Sequence, residues 1–439
     1  MVSWMLLVFL LKYKLHPEPS SFNFFFSYGM AVKILHVCTH RRGGAGIATC
    51  RLVAALRKTG INADLFPEPE RPYHNNFRGV SYFLRRAVEK SEHLLLTKLS
   101  ASTNPIFHSA NLFGLDLVSE INSSDADIVH LHWINDHLIS IPDLAKLRKP
   151  LVWTLHDSWA VCGTEHHPNI WEGDCRYRYG YTAKNFPCTS HGIDIDKWVW
   201  RLKKYCWRKQ NFSFVAPSRW EAEILENSAL FRGKRCKVIP NGLDLKKFYP
   251  RQKERDQLRK KYKLPINAKI ILFGACQLED ENKGAVLLQQ ALRMIKTSNC
   301  YVVTFGTTEG VPFSDFDFGS IINEDILTEI YNCADIFVCP SRVENFPNCC
   351  LEAMACGIPV VAFAIGGIPE LVIHEENGFL AQPFLTDSLA TGIEFCLQNS
   401  QEMSKKSAIR AAIFSDEKMA QSYVALYKEI LQNNRSQTV

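Results

Sequence analysis

From residue 32 onward, short apolar runs alternate with longer stretches of helical period, and the alternation is played through twice. In the first pass 32–37, 61–66, 127–132, 151–155, 213–217 and 237–240 read as strands. A glycine turn, Arg41-Arg-Gly-Gly-Ala-Gly46, follows the first of them. A helix is predicted over 47–59, with Ala48, Leu52, Ala55 and Leu56 on one face and Gly60 just past its end. In the second pass strands are predicted at 269–274, 301–306, 335–340 and 359–363, with helices near 285–295, 324–331 and 347–355. Strands apolar on both faces need cover on both faces, which implies parallel pairing with helices between. The chain therefore reads as α/β, two doubly wound parallel-sheet domains facing a cleft, with ligand groups gathered at the strand ends. The charged stretch 245–264 between the passes reads as a hinge, and 416–432 reads as a helix beyond the last strand signal.

Composition narrows the class. Lys+Arg 51 against Asp+Glu 45 gives a net charge of +6, too diffuse for a dedicated nucleic-acid binder. It suits a surface that meets phosphates or anionic lipid. The 15 cysteines lack paired spacing, and Cys333, Cys339 and Cys356 sit in apolar segments, which fits a reducing, cytoplasmic compartment. The apolar run 4–11 is too short to span a bilayer and is broken by Lys12, Lys14, Pro17 and Pro19. Residues 1–29 are read as a poorly ordered extension ahead of Met30, with a weak membrane-surface anchor as the alternative.

Three motifs carry chemistry. Glycines at 43, 44 and 46, between a strand and a helix, let backbone N–H groups approach a phosphate, although Thr49 replaces the third glycine of a dinucleotide fingerprint. Thr154-Leu-His-Asp157 ends a strand and is followed by Trp159, Glu165, His166 and His167, polar and aromatic residues suited to a ligand; a histidine merely packed at a strand end is the competing reading. The most specific block runs from Ser341 to Val360: Glu344 lies in the loop at a helix mouth, and Glu352 projects about a turn and a half along. Two such carboxylates can accept hydrogen bonds from opposite ends of one polar ligand, with the N–H groups near Asn348 and Cys349 open to a phosphate between them.

Glu344 to Glu352 resembles the E-x7-E signature of retaining family-four glycosyltransferases, and Ala353–Val361 and Gly366-Gly367-Ile-Pro-Glu370 resemble its continuation. His130-Leu-His-Trp133 and Trp153-Thr-Leu-His-Asp157 are most similar to transferases of bacterial colanic-acid and O-antigen synthesis. The resemblance implies the two-domain GT-B fold, with an acceptor-side domain at 30–248, a nucleotide-sugar domain at 249–415, and a helix, 416–439, crossing back to the first. It implies transfer from a nucleotide-diphosphate sugar to a saccharide or lipid-linked saccharide acceptor in surface polysaccharide synthesis. His156, Lys283 and Glu344 would be catalytic. Gly43, Gly44, Lys283, Glu344, Asn345, Phe346, Pro347, Asn348 and Glu352 would bind the donor, and Asp157, Trp159, Glu165 and His166 would face the acceptor. No cofactor, metal or nucleic acid is expected, and peripheral contact with the inner face of the cytoplasmic membrane is. One departure stands out: the Arg that the family often places before Lys283 is absent from 274–282, so either another cation, Arg219 or Arg342, substitutes or diphosphate binding is weaker.

The triplets Asp125/Asp127, Asp194/Asp196 and Asp315/Asp317 read as chance rather than as a metal site, and Cys162, Cys175, Cys188, His166, His167 and His191 lack zinc spacing. The insert 163–196 is expected to shape the acceptor site. Rival readings are a nucleotide-sugar epimerase of the same architecture, a catalytically idle nucleotide-sugar-binding protein and an NAD-dependent dehydrogenase. The last is disfavoured by the incomplete glycine fingerprint.

Overall fold

A computed structural model of the chain describes residues 32–67, 90–92, 94, 96, 102, 104, 106–187, 192–307 and 311–437. The expected extension at 1–29, and Cys188 and His191, fall outside them. From Lys33 onward the described residues belong to one compact unit.

Two six-stranded parallel sheets organise it. The first contains β1 (Lys33–Val37), β2 (Asn62–Phe66), β3 (Ile128–Leu131), β4 (Leu151–Thr154), β5 (Phe212–Ala216) and β6 (Cys236–Val238), in the order β2-β1-β3-β4-β5-β6. The second contains β7 (Lys269–Gln277), β8 (Cys300–Thr307), β9 (Phe316–Asp317), β10 (Ile336–Cys339), β11 (Val360–Phe363) and β12 (Gly378–Ala381), in the order β12-β11-β10-β7-β8-β9. Strands β3, β4, β10 and β11 are buried along their whole length, as helices on both faces require. Each sheet has its own apolar core.

The C-terminal helix Asp416–Gln437 returns to the first lobe. Tyr427 Oη lies 2.7 Å from His130 Nδ1, Tyr423 Oη lies 2.8 Å from Thr154 Oγ1, and Lys58 donates to Asp416 at 2.9 Å.

Three local differences from the sequence reading have physical causes. The first helix begins at Gly43, so the glycine turn is its opening turn rather than a separate loop. The stretch 245–264 is more than a hinge: it carries the helix Arg255–Lys261, and Phe248, Leu258 and Leu264 enter the second core. Its apolar signal is diluted by charges that turn inward, such as Arg259, which donates to the carbonyls of Cys333, Ile266 and Ala268 and to Asp335. Strand β12 and the long helix Thr386–Ala411 gave no clear signal, since the helix buries small and polar residues such as Gly392, Ser400 and Ser407.

Candidate active site

The carboxyl ends of both sheets open on a cavity of about 630 Å³. Its wall includes Gly43, Gly44, His156, Asp157, His166, Lys283, Glu344, Asn345, Phe346, Pro347, Asn348 and Glu352. These residues come from sequence positions more than three hundred apart.

Two helices point their N-termini into this space, Gly43–Lys58 from the first lobe and Asn348–Ala355 from the second, and neither has a side-chain cap among the described residues. Uncapped N–H groups with an aligned dipole are suited to an anion. The two mouths are joined: Asn348 Nδ2 donates to the Gly44 carbonyl at 3.0 Å, and Asn241 Nδ2 donates to Asn348 Oδ1 at 3.1 Å.

Lys283 Nζ donates to Glu344 Oε1 at 2.8 Å, and Ser341 Oγ donates to the same oxygen at 2.9 Å. Burial works against the Lys283 ammonium, yet the adjacent Glu344 carboxylate holds its pKa above the ordinary value, so it stays charged. Gly284, in the left-handed region at φ 72°, lets the chain pass beside the Pro340 carbonyl, where a Cβ would sit 1.9 Å from oxygen. The Gly366-Gly367 pair does the same for the Glu344 loop, with Cβ positions 1.8 and 1.9 Å from the Glu344 and Asn345 carbonyl oxygens. These contacts explain why the motif needs glycine there.

Glu352 faces the other lobe. Arg51 NH1 is 2.8 Å from its Oε1, and Tyr331 Oη donates to its Oε2 at 2.9 Å. Arg51 also donates through Nε and NH2 to Glu324 Oε1, at 3.1 and 2.9 Å. Asn345 extends the bridging: its Nδ2 donates to the carbonyls of Leu155 and His156, and its Oδ1 accepts from Ser218 at 2.6 Å. Glu370 accepts from the backbone N–H groups of Arg219 and Trp220, at the opening of the helix Arg219–Glu226.

His156 ends a file of rings at the strand ends of the first sheet. His132 Nδ1 is 3.1 Å from His156 Nε2, and His132 Nε2 is 3.0 Å from His36 Nδ1. Burial pushes His36 down to about 3 and His156 to about 4, so both are neutral at pH 7. Asp157 accepts from Trp133 Nε1 and lies 2.6 Å from His166 Nδ1. Burial opposes its ionisation, but the imidazole of His166 overrides this and holds Asp157 at about 2.

The group expected on the acceptor side divides. Asp157 and His166 line the cavity with His167, whereas Trp159 and Glu165 are buried outside its wall. Trp159 donates its indole N–H to the Ser109 carbonyl, and Glu165 accepts from Tyr181 Oη at 3.0 Å. Burial and the nearby Asp196 push Glu165 up to about 8, a neutral structural carboxyl. The aromatic-rich insert contributes His166 and His167 to the wall, while Tyr177 and Tyr181 pack inward. Neither Arg219 nor Arg342 belongs to the wall; its arginines are Arg42 and Arg51. The aspartate triplets lie outside the cavity. Asp125 pairs with Lys33, Asp194 caps the helix Ile195–Cys206 and pairs with Arg176, and Asp315 accepts from the Val302 N–H.

Arg51, Glu324, Tyr331 and Asn241 were not singled out from sequence. Arg51 offered one signal: it lies in helical register with Ala48 and Ala55 on a face otherwise apolar, and a charge there must find a buried partner.

Comparisons with known proteins agree with this architecture. Residues 42–247 match the family described as Glycosyltransferase Family 4, and residues 268–399 match Glycosyl transferases group 1. A Campylobacter jejuni N,N'-diacetylbacillosaminyl-diphospho-undecaprenol alpha-1,3-N-acetylgalactosaminyltransferase is 29% identical over 232 residues, 50% of this chain and 61% of that protein. The colanic acid biosynthesis glycosyl transferase WcaC of Escherichia coli is 24% identical over 328 residues, 69% of this chain and 75% of that one. A D-inositol 3-phosphate glycosyltransferase of Xylanimonas cellulosilytica is 32% identical over 188 residues, 38% of this chain and 44% of its own length. The matched stretches thus span less than two thirds of the first and third of these relatives. Among solved structures, sucrose-phosphate synthase from Thermosynechococcus elongatus superposes with a TM-score of 0.64 at 18% identity, over 92% of this chain and 100% of that one. Anabaena HepE in complex with UDP-glucose gives 0.59 at 18% identity, over 90% and 99%. The fold is GT-B, and the chain belongs to the family-four glycosyltransferases.

Proposed function

We propose that this chain transfers a sugar, with retention at the anomeric carbon, from a nucleotide-diphosphate sugar to a saccharide or lipid-linked saccharide acceptor during surface polysaccharide synthesis. The observation that carries the reading is the convergence on one cavity of the Lys283–Glu344 pair, Glu352, His156 and two uncapped helix N-termini. The names of the Campylobacter and Escherichia relatives support a polysaccharide or lipid-diphosphate context. The HepE complex supports a UDP-sugar class of donor.

In this reading the nucleoside diphosphate lies between the two helix mouths. Glu352 leaves Arg51 to accept hydrogen bonds from the ribose, and Glu344 takes sugar hydroxyls. As the bond from the anomeric carbon to the phosphate oxygen breaks, negative charge grows on the leaving diphosphate. The Lys283 ammonium and the N–H groups near Gly44 and Asn348 stabilise that charge where it develops. Neutral His156 offers a hydrogen bond to the sugar rather than a charge. Asp157, His166 and His167 border the acceptor. Arg51 or Arg42 stands in for the missing family arginine. Transfer needs no metal ion in this scheme, and unchanged rates after chelation check that point.

No helix among the described residues is long and apolar enough to cross a membrane. We place the enzyme in the cytoplasm, meeting its acceptor at the inner membrane face. Incubating the protein with a panel of nucleotide sugars and lipid-linked or free saccharides, and following product mass, tests the proposal. A glycosylated acceptor with one donor supports it. Donor conversion without any acceptor product refutes it.

A further inference from the structure

The helix Ile195–Cys206 and the residues just after it present an unusual outer face. Trp198 is 73% exposed and Tyr205 67%, two turns apart on one side of the helix. Ile193, just ahead of the helix, and Tyr179, in the same insert, are exposed as well. Large aromatic side chains this open to water are costly unless something covers them.

Charge says what that something is. The segment 197–209, Lys-Trp-Val-Trp-Arg-Leu-Lys-Lys-Tyr-Cys-Trp-Arg-Lys, contains no acidic residue. Arg201, Lys204, Arg208 and Lys209 are exposed alongside the aromatics. Among the described residues none of them has a carboxylate partner; Arg208 stacks 4.2 Å over the Tyr205 ring and Lys204 lies 5.2 Å from the Trp200 ring. The acidic groups at the helix start are already engaged, Asp194 with Arg176 and Asp196 with Thr164. Exposed Trp and Tyr flanked by unpaired Lys and Arg on an otherwise anchored helix match the interface of an anionic bilayer, where rings enter the headgroup layer and cations meet phosphates.

The inner face of this helix is fixed to the cavity wall. Lys203 is fully buried and donates to the carbonyls of Trp159, Cys162 and Gly163. That loop lies between Asp157 and His166, both of which line the cavity. A surface resting on this helix is therefore one layer of chain from the acceptor side of the site.

We propose that the outer face of Ile195–Cys206 and its continuation to Lys209, centred on Trp198, Arg201, Lys204, Tyr205 and Arg208, is the docking surface for anionic phospholipid. This deepens the reading above by naming the surface that meets the membrane, and rests on it only for the presence of a lipid-linked acceptor.

The test uses the full chain with vesicles of phosphatidylglycerol and phosphatidylcholine, against vesicles of phosphatidylcholine alone, read by co-sedimentation. The expected result is binding to the anionic vesicles that weakens steeply with salt. Arg201→Gln/Lys204→Gln/Arg208→Gln should weaken it by about a hundredfold, since each cation near an anionic surface adds roughly a fivefold gain. Trp198→Ser/Tyr205→Ser should release the protein at moderate salt. Both variants should keep the thermal protection given by the nucleotide sugar, which shows that they fold and that the donor site is intact. Equal binding to both vesicle types, or variants that bind as tightly as the parent, would overturn the proposal. So would a parent dimer that the variants turn into monomers, because the face would then belong to a second copy. A parent chain that no nucleotide sugar protects refutes the donor reading and leaves the vesicle result standing.

Discussion

Lys283 and Glu344 form an ion pair at 2.8 Å inside the cavity, with side chains 31% and 13% exposed. Lys283→Met strands the Glu344 carboxylate beside Ser341. A fully buried stranded charge costs about 3–5 kcal/mol. Partial exposure of both partners lowers this to roughly 1–2 kcal/mol here, because solvent screens the charge. At an unfolding entropy of about 2.1 cal/mol/K per residue, a unit of roughly 400 residues shifts by about 1 °C per kcal/mol, so thermal scanning should show the variant melting roughly 1–2 °C lower. Lys283→Met/Glu344→Gln removes both charges and should recover most of that loss. Transfer behaves differently. Losing a preorganised group that meets charge only as it develops costs on the order of 10²–10³ in kcat, and the double variant regains none of it. Stability and turnover therefore part company across the cycle. Should Lys283→Met turn over within a few fold of the parent, or should the double variant recover activity along with stability, leaving-group stabilisation by Lys283 is refuted.

Other outcomes follow from the same contacts. Arg51→Ala leaves Glu352 and Glu324 without their partner from the opposite lobe and should destabilise the chain by about 2–4 kcal/mol in denaturant titrations, with Arg51→Lys recovering little because the forked contact is lost. Acidification should weaken the fold: His36 has a folded-state pKa of about 3, so below pH 6.5 the unfolded chain takes up the proton first, and by pH 5 this one ring costs about 2 kcal/mol. Between pH 6.5 and 5 the parent should lose more melting temperature than His36→Asn, which removes this one contribution while those of His156 and Glu165 remain in both proteins. Replacing the insert 163–196 with that of a relative should change acceptor choice while leaving donor affinity unaltered, since His166 and His167 enter the wall from the first lobe whereas Lys283, Glu344 and Glu352 enter it from the second.

The fold was legible because a parallel sheet buried on both faces writes itself as apolar runs, and β3, β4, β10 and β11 are buried throughout. β12 was harder to read, being four residues with a glycine at its head, and the stretch after 245 hid Leu258 among charges, several of which fold inward. At the site, Glu344, Glu352 and Lys283 could be found because their motif fixes a helix mouth. Arg51 could not be placed, because its partners Glu324 and Glu352 lie some three hundred residues away and only closure of the two lobes brings them together. Trp159 and Glu165 were misplaced for a related reason: their types suit a ligand, but their neighbours Ser109 and Tyr181 satisfy them inside the lobe.

The account stands on a nucleotide sugar held through the paired glutamates, and calorimetric titration of that ligand into three proteins tests it most directly. The parent should bind a nucleotide sugar with one site per chain. Glu352→Gln and Glu344→Gln, each still melting cooperatively, should bind it at least tenfold more weakly, as expected when a charged hydrogen-bond acceptor worth about 1.5–3 kcal/mol is lost. Parent-like affinity in both folded variants would contradict the claim.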